Sequence, residues 1–315
     1  MGKCQPDGVH INVLMATFNG AEYLPEQLDS IAAQTFGAWS LWVGDDGSTD
    51  ETEQILQEFG AKGHPLHIRQ SGGFGSATNF MSLLANLPSV EGAPDWIAFT
   101  DQDDVWLPDK LERGVTALRQ YPDTTPALYC SRTWVTNSTL TRRVPSAPMP
   151  RQPSFKNALV QNIAAGNTIL LNPAAAELVR AAASEAGPVV MHDWWVYLLV
   201  TGAGGIVEYD NTPTLLYRQH ARNVIGANLG VRARLRRIAM VLNGEFRRRN
   251  DVNLAALGRS AHRLIPANRD IVRSFSEARQ SSLLLALAAV LSLGLYRQTT
   301  ASTWALWCAV LLRRV

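Results

Sequence analysis

Four strand-length apolar runs within the first 104 residues, each followed by a helix-length stretch, leave this chain few folds to choose from. VHINVLMATF (9–18) reads as a buried strand, and a helical pattern follows from Ala21 to about Gln34. LWVGDD (41–46) precedes a helix from Asp50 to Phe59, and PLHIRQ (65–70) precedes one from Ala77 to Asn86. DWIAFTDQDD (95–104) ends in acids, after which Pro108 opens a helical pattern reaching about Gln120. Such alternation requires parallel strands joined by crossover helices, an α/β architecture with a mostly parallel central sheet flanked by helices.

Ligands of such a sheet collect outside the carboxyl ends of its strands. Those ends carry Thr17 and Asn19, then Asp45 and Asp46, then Asp101, Asp103 and Asp104. Polar residues therefore gather where a pocket is expected. Further on, TRRVPSAPMPRQPSF (141–155) reads as a long loop and NIAAGNTILLN (162–172) as a return to the core. MHDWWVYLLVTG (191–202) looks like a helix start, and GGIVEYDNTPTLLYRQH (204–220) like two short strands around a turn.

The richest site is FTDQDDVWLPDKL (99–111), where three carboxylates at a strand end concentrate negative charge that a hard divalent cation would offset. An acidic loop that caps the next helix through Asp104 is the plainer alternative. In GDDGSTDETEQIL (44–56), Asp50 and Glu53 have capping-box spacing, while Asp45 and Asp46 at the strand end suit a nucleobase or a ribose hydroxyl. On the residues alone, Asp193 could simply complement a helix dipole, and His220 could be structural. The glycines of SGGFGSATNF (71–80) do not spell a dinucleotide fingerprint and would let a loop pass close to a ligand.

VLMATFNGAEYLPEQLDSIAAQT, DDGSTDET, DQDDVWLPDKL, HDWW and YRQH, in that order, resemble the motifs of the family-2 inverting glycosyltransferases of bacterial surface-polysaccharide synthesis, most of all the rhamnosyltransferase-like members. The resemblance runs from about Val9 to Asn228. It implies the GT-A fold, a Rossmann-like half joined to an acceptor half. Thr17, Asn19 and Glu22 would line the nucleotide pocket, Asp46 would contact the base, and Asp101 and Gln102 would face the ribose or donor sugar. Asp103, completing the family's DxD element, would hold Mg²⁺ or Mn²⁺ together with His220, and Asp193 would be the general base. Trp194 and Trp195 could stack on an acceptor sugar or pack in the core. Many members carry a basic residue where this chain has GSATNF, so the nucleotide stays open between dTDP and UDP, with L-rhamnose from dTDP preferred.

A nucleotidyltransferase or phosphoanhydride hydrolase is the competing class, but the former wants a basic Gly-rich loop after the first strand, where this chain has TFNGAEYL. The chain divides by composition into a catalytic domain (1–228) and a basic, apolar helical extension (229–315). Its formal charge is only +2, yet VRARLRRIAMVLNGEFRRRN (231–250) carries seven arginines against one glutamate. The apolar runs at 282–295 and 301–315 fall short of the ~20 residues a membrane crossing needs. This tail is expected either to lie on the inner face of the cytoplasmic membrane, as suits a glycan or polyprenyl-diphosphate-linked acceptor, or to pack on the catalytic domain. No nucleic-acid reading module accompanies the basic segment. Cys4, Cys130 and Cys308 form no ligand pattern and read as thiols of a reducing, cytoplasmic compartment, and the N-terminus shows no apolar signal core.

Overall fold

The computed structural model describes residues 8–88, 95–220 and 243–315. Strands β1 (His10–Thr17), β2 (Trp39–Asp45), β3 (Leu66–Gln70) and β4 (Asp95–Thr100) run parallel in the order β3-β2-β1-β4. Helices α1 (Leu24–Ala32), α2 (Thr52–Ala61) and α3 (Ser76–Asn86) connect them. Apolar side chains of β1 point alternately into the two cores: Leu14 joins Phe80, Ile97 and Phe99, while Val13 and Met15 join Leu28, Leu41 and Val43. A sheet covered on both faces needs such continuous apolar strands. Its C-terminal edge is in register, Thr17 lying opposite Asp45, which fixes the acidic strand ends on one rim.

Beyond β4 the sheet turns mixed. The short β5 (Val105–Trp106) leads to α4 (Lys110–Leu118) and then β6 (Ala127–Asn137), β7 (Arg143–Pro145), α5 (Phe155–Ala158), β8 (Leu170–Leu171), α6 (Pro173–Ala183), α7 (His192–Gly202) and β9 (Ile206–Gln219). β8 pairs antiparallel with β4 and β6, which carries the sheet onward to β9 and β5. The segment expected as two strands around a turn is one strand. Opposite Ser131 and Arg132 the partners jump from Asp210 to Pro213, so Asn211 and Thr212 bulge out, and the Asp210 carboxylate accepts from the Thr212 amide at 2.8 Å. β6 and α6 were not set apart by the sequence pattern. β6 opens with the buried apolar run Ala127–Cys130 and then places buried Ser131 against the neighbouring strand, its hydroxyl meeting that of Thr214 at 2.6 Å.

Helices α8 (Glu245–Arg259), α9 (Pro266–Gln280), α10 (Leu283–Ser292) and α11 (Thr300–Leu311) form the C-terminal extension. Phe246, Leu257, Phe275, Val290 and Leu306 share one apolar core with Trp194 and Leu199 of α7. Hydrogen bonds stitch the same contact: Asn268 donates to the Thr201 and Gly202 carbonyls, and Arg263 pairs with Glu185. Residues 231–242 of the arginine-rich segment lie outside the described residues. No helix among the described residues is long and apolar enough to cross a membrane. Cys130 is a buried free thiol and Cys308 an exposed one, while Cys4 lies outside the described residues.

Candidate active site

The turn after β1 and the turn after β2 hold each other. Thr17 donates its hydroxyl to Asp45 at 2.9 Å, and Asp45 also accepts from the Gly47 and Ser48 amides at 3.2 and 2.8 Å. Asn19, at φ 47°, accepts from the Thr49 amide at 2.8 Å, and its own amide donates to Ser48. Asp50 accepts from Ala21 and Thr52 amides, both at 3.1 Å. The expected capping box is absent: Glu51 occupies the cap position of α2 without a side-chain bond, because Asp50 turns back to the β1 loop. Glu22 is exposed on the rim above α1.

Asp46 meets the glycine loop. Its carboxylate accepts from the Gly73, Phe74 and Gly75 amides at 3.0, 3.2 and 2.7 Å and from the Ser71 hydroxyl. Burial alone would raise its pKa, but these four donors outweigh it and hold the carboxyl below the usual range. Gly73 and Gly75 have φ of 81° and 87°, which lets two successive turns aim their amides inward. The glycines thus serve an anchor on Asp46, and Phe74 is carried out to 74% exposure beside it.

The loop after β4 is the acidic centre. Gln102 forms a two-way amide pair with the Phe18 backbone, at 2.9 and 3.1 Å, which ties it to the β1 turn. A side chain at Gly20 would begin 2.4 Å from the Gln102 amide oxygen, so a larger residue there would push that amide off the Phe18 backbone. Asp103 meets His220, just beyond β9, with Oδ2 and Nε2 2.7 Å apart. Tyr23 stacks on the His220 ring at 4.8 Å. Removal from water, then the charges of Asp103 and Asp193, push the Asp101 carboxyl up to about 7. Asp104 does not cap α4, whose cap position is Asp109. It is fully buried, accepting from the Asn167 amide at 2.5 Å and the Arg218 backbone amide at 3.2 Å, and burial with two neighbouring carboxylates raises its pKa well above the ordinary value. Lys110 is buried nearby with Nζ 3.9 Å from the centre of the Trp106 ring, and burial pushes its pKa down to about 7 against the opposing charge of Asp104.

Asp193 comes to this centre from α7. The short turn Gly166–Thr168 makes the connection: the Gly166 amide donates to Asp193 Oδ2 at 3.0 Å, and the next residue, Asn167, holds Asp104. Asp193 also accepts from the Trp194 amide at 2.6 Å. At 4% exposure its carboxyl is pushed up to about 6 by burial, against those hydrogen bonds. The neighbouring His192 lies flat on Phe80, with ring centres 3.8 Å apart, and burial lowers it to about 3, so it is neutral at physiological pH.

The choice left open for Trp194 and Trp195 is resolved here. All eleven residues of α7 are buried, so the helix is apolar on every side. Trp195 is fully buried, and Trp194, at 5% exposure, spends its indole N–H on the Ala158 carbonyl at 2.7 Å. Neither tryptophan presents a ring face to an acceptor sugar; both are core.

Arg218 was not anticipated. Its guanidinium is 3% exposed and donates to the Asp103 carbonyl at 2.9 Å, to the Ser138 carbonyl and to Glu26, while lying over the Tyr23 ring. One side chain thereby joins β9, α1, β6 and the acidic loop. Arg218→Ala strands the Asp103 and Ser138 carbonyls, takes the partner from Glu26 and opens a cavity beside Tyr23. We expect a loss of about 3–5 kcal/mol in urea unfolding, with Arg218→Lys recovering little because it lacks the planar fork.

Among the described residues no three His, Cys, Asp or Glu side chains converge as a metal cage. One carboxylate and one imidazole in contact, beside an Asp101 carboxyl raised by burial and then by its acidic neighbours, nevertheless fit a divalent cation that would take its remaining ligands from water or a bound anion.

The profile of the family described as Glycosyl transferase family 2 matches residues 12–177. The dTDP-rhamnosyl transferase RfbG of Shigella flexneri is 29% identical over 248 residues, covering 74% of this chain and 81% of that protein. An uncharacterized glycosyltransferase of Rickettsia prowazekii, RP339, is 32% identical over 120 residues, 38% of this chain and 35% of its own. Among solved structures, S. aureus TarS 1-349 in complex with UDP-GlcNAc superposes with a TM-score of 0.56 at 16% identity, covering 84% of this chain and 70% of that one. At that identity the likeness speaks for the fold, the GT-A arrangement.

Proposed function

The chain belongs to glycosyl transferase family 2, and on that premise we propose that it carries a sugar from a nucleoside diphosphate to an acceptor hydroxyl by a single inverting displacement. We take the sugar as L-rhamnose from dTDP, and the acceptor as a glycan or polyprenyl-diphosphate-linked glycan of bacterial surface-polysaccharide synthesis. The observation that carries the reading is the Gly166–Asn167 turn, which ties Asp193 to the acidic loop where Asp103 meets His220. The similarity to RfbG over most of both chains supports the rhamnosyl choice.

In this reading the donor lies along the rim formed by the ends of β1, β2 and β4, with its base beside Phe74 and the Asp46 loop. Thr17, Asn19, Asp46 and Gln102 shape that rim through the loop contacts above, Glu22 lies on its edge, and Asp101 faces the ribose or sugar. Asp103 and His220 would hold Mg²⁺ or Mn²⁺, which when bound supplies positive charge against the diphosphate. Asp193 takes the proton of the acceptor hydroxyl as its oxygen attacks the anomeric carbon. The bond from that carbon to the diphosphate oxygen breaks, and its electron pair leaves with the diphosphate. A carboxylate at about pKa 6 is ionised at neutral pH yet more basic than an exposed aspartate, which suits a general base.

The test is nucleotide release, measured with dTDP-rhamnose, UDP-glucose, UDP-N-acetylglucosamine and GDP-mannose, each with Mn²⁺. Turnover of dTDP-rhamnose at least about tenfold faster than of the others is expected. Preference for a UDP or GDP donor would replace the rhamnosyl assignment while leaving the family intact.

A further inference from the structure

Seven of the eleven large apolar side chains exposed among the described residues lie between 283 and 312, six in the last two helices and Leu312 just beyond them. α10 and α11 pack on one another and bury Val290, Leu306 and Val310 in the common core. Their outer faces should then be polar, as on any helix facing water. They are not. On α10 the outward stripe runs Leu284, Ala288, Leu291, and on α11 it runs Trp304, Cys308, Leu311, with the same spacing of four and three. Leu284 is 79% exposed and Trp304 60%.

Charge decides what covers this face. Residues 243–315 hold eleven arginines against four carboxylates, so this part carries +7 in a chain whose total is +2. Arg313 and Arg314, both exposed, directly follow Leu311 and Leu312. A second copy seated here would crowd the Arg313–Arg314 pairs of two positively charged extensions at one seam. Leucines and a tryptophan bordered by arginines fit instead an interface of acyl chains beneath anionic headgroups. We propose that the α10–α11 face docks on an anionic phospholipid surface, lying on it without crossing. This goes beyond the donor and acceptor reading and holds or fails independently of it.

The full chain is tested by co-sedimentation with vesicles of equimolar phosphatidylcholine and phosphatidylglycerol, and with phosphatidylcholine alone. The protein is expected to pellet with the mixed vesicles, to be released as salt rises, and to stay in solution with the neutral ones. Leu284→Ser, Leu291→Ser and Trp304→Ser combined should lower vesicle affinity at least about tenfold. Because these side chains are largely exposed, the unfolding temperature should fall only slightly, by the helix-propensity cost of serine. Should that variant fail to fold, Arg313→Gln with Arg314→Gln gives the reading, again as weaker binding. Absence of binding to mixed vesicles, or equal binding by the variants, overturns the proposal. So does a dimer of the parent chain that the triple variant turns into a monomer without any vesicle binding.

Discussion

Asp193→Asn is expected to lower the transfer rate by about 10²–10⁴-fold while leaving donor affinity unchanged. The residue is 4% exposed and held by the Gly166 and Trp194 amides, so asparagine keeps the shape and one of these two bonds but not the capacity to take a proton. In the parent enzyme, kcat/KM should fall tenfold per pH unit below about 6, because protonation of Asp193 removes the base. The variant should lose that limb of the profile. Stability should move the opposite way. Burial raises the folded pKa above the unfolded value, so the protonated form is favoured in the native state. The resulting stabilisation is complete below about pH 4 and is lost as pH rises through about 6. Asparagine does not titrate, so the variant should gain on the parent over that window by an amount on the order of 3 kcal/mol. Part of the gain at neutral pH is offset, because the new amide turns one N–H toward a backbone donor. Urea unfolding at pH 4 and pH 8 measures both terms. A variant with near-normal turnover would remove Asp193 from its assigned role.

The second large effect concerns the Asp103–His220 pair. Asp103→Ala should abolish the part of nucleotide affinity that depends on Mn²⁺, a weakening of at least about 100-fold, and His220→Ala should cost about 10–100-fold. Affinity measured without metal should be the same in both variants as in the parent. The fold should persist, since Asp104, not Asp103, is the buried member tied to Asn167 and to the Arg218 backbone. Arg218→Ala, in contrast, is expected to fail in stability first, so the two variants separate ligand binding from support of the loop.

Much of the site was legible because a parallel sheet sends its strand ends to one rim. Thr17, Asp45, Asp46 and Asp101 follow from four apolar runs and the residues that close them. The division of labour among neighbouring carboxylates was not legible. Asp45 and Asp104 satisfy loop amides and side chains, while Asp103 reaches His220, and such pairings span up to 117 residues of sequence. Arg218 was hidden for the same reason, since nothing near YRQH announces a partner in the acidic loop. The Gly166–Asn167 turn was concealed inside an apolar stretch, where its polar groups looked incidental. The tryptophans after Asp193 could have been placed. Eleven residues from His192 to Gly202 show no polar stripe, and that pattern belongs to a helix buried on every side. The strand reaching His220 was misjudged because DNTP has the composition of a turn, whereas its residues form a bulge within a continuous ladder.

The central claim is that the end of β4 and the end of β9 jointly bind the donor diphosphate through a divalent cation, beside Asp193. Calorimetric titration of dTDP into the parent chain and into Asp103→Ala, with and without Mn²⁺, tests it most directly. The account predicts tight binding only for the parent with Mn²⁺ and equally weak binding in the other three titrations. Mn²⁺-dependent tightening that survives in Asp103→Ala would contradict it.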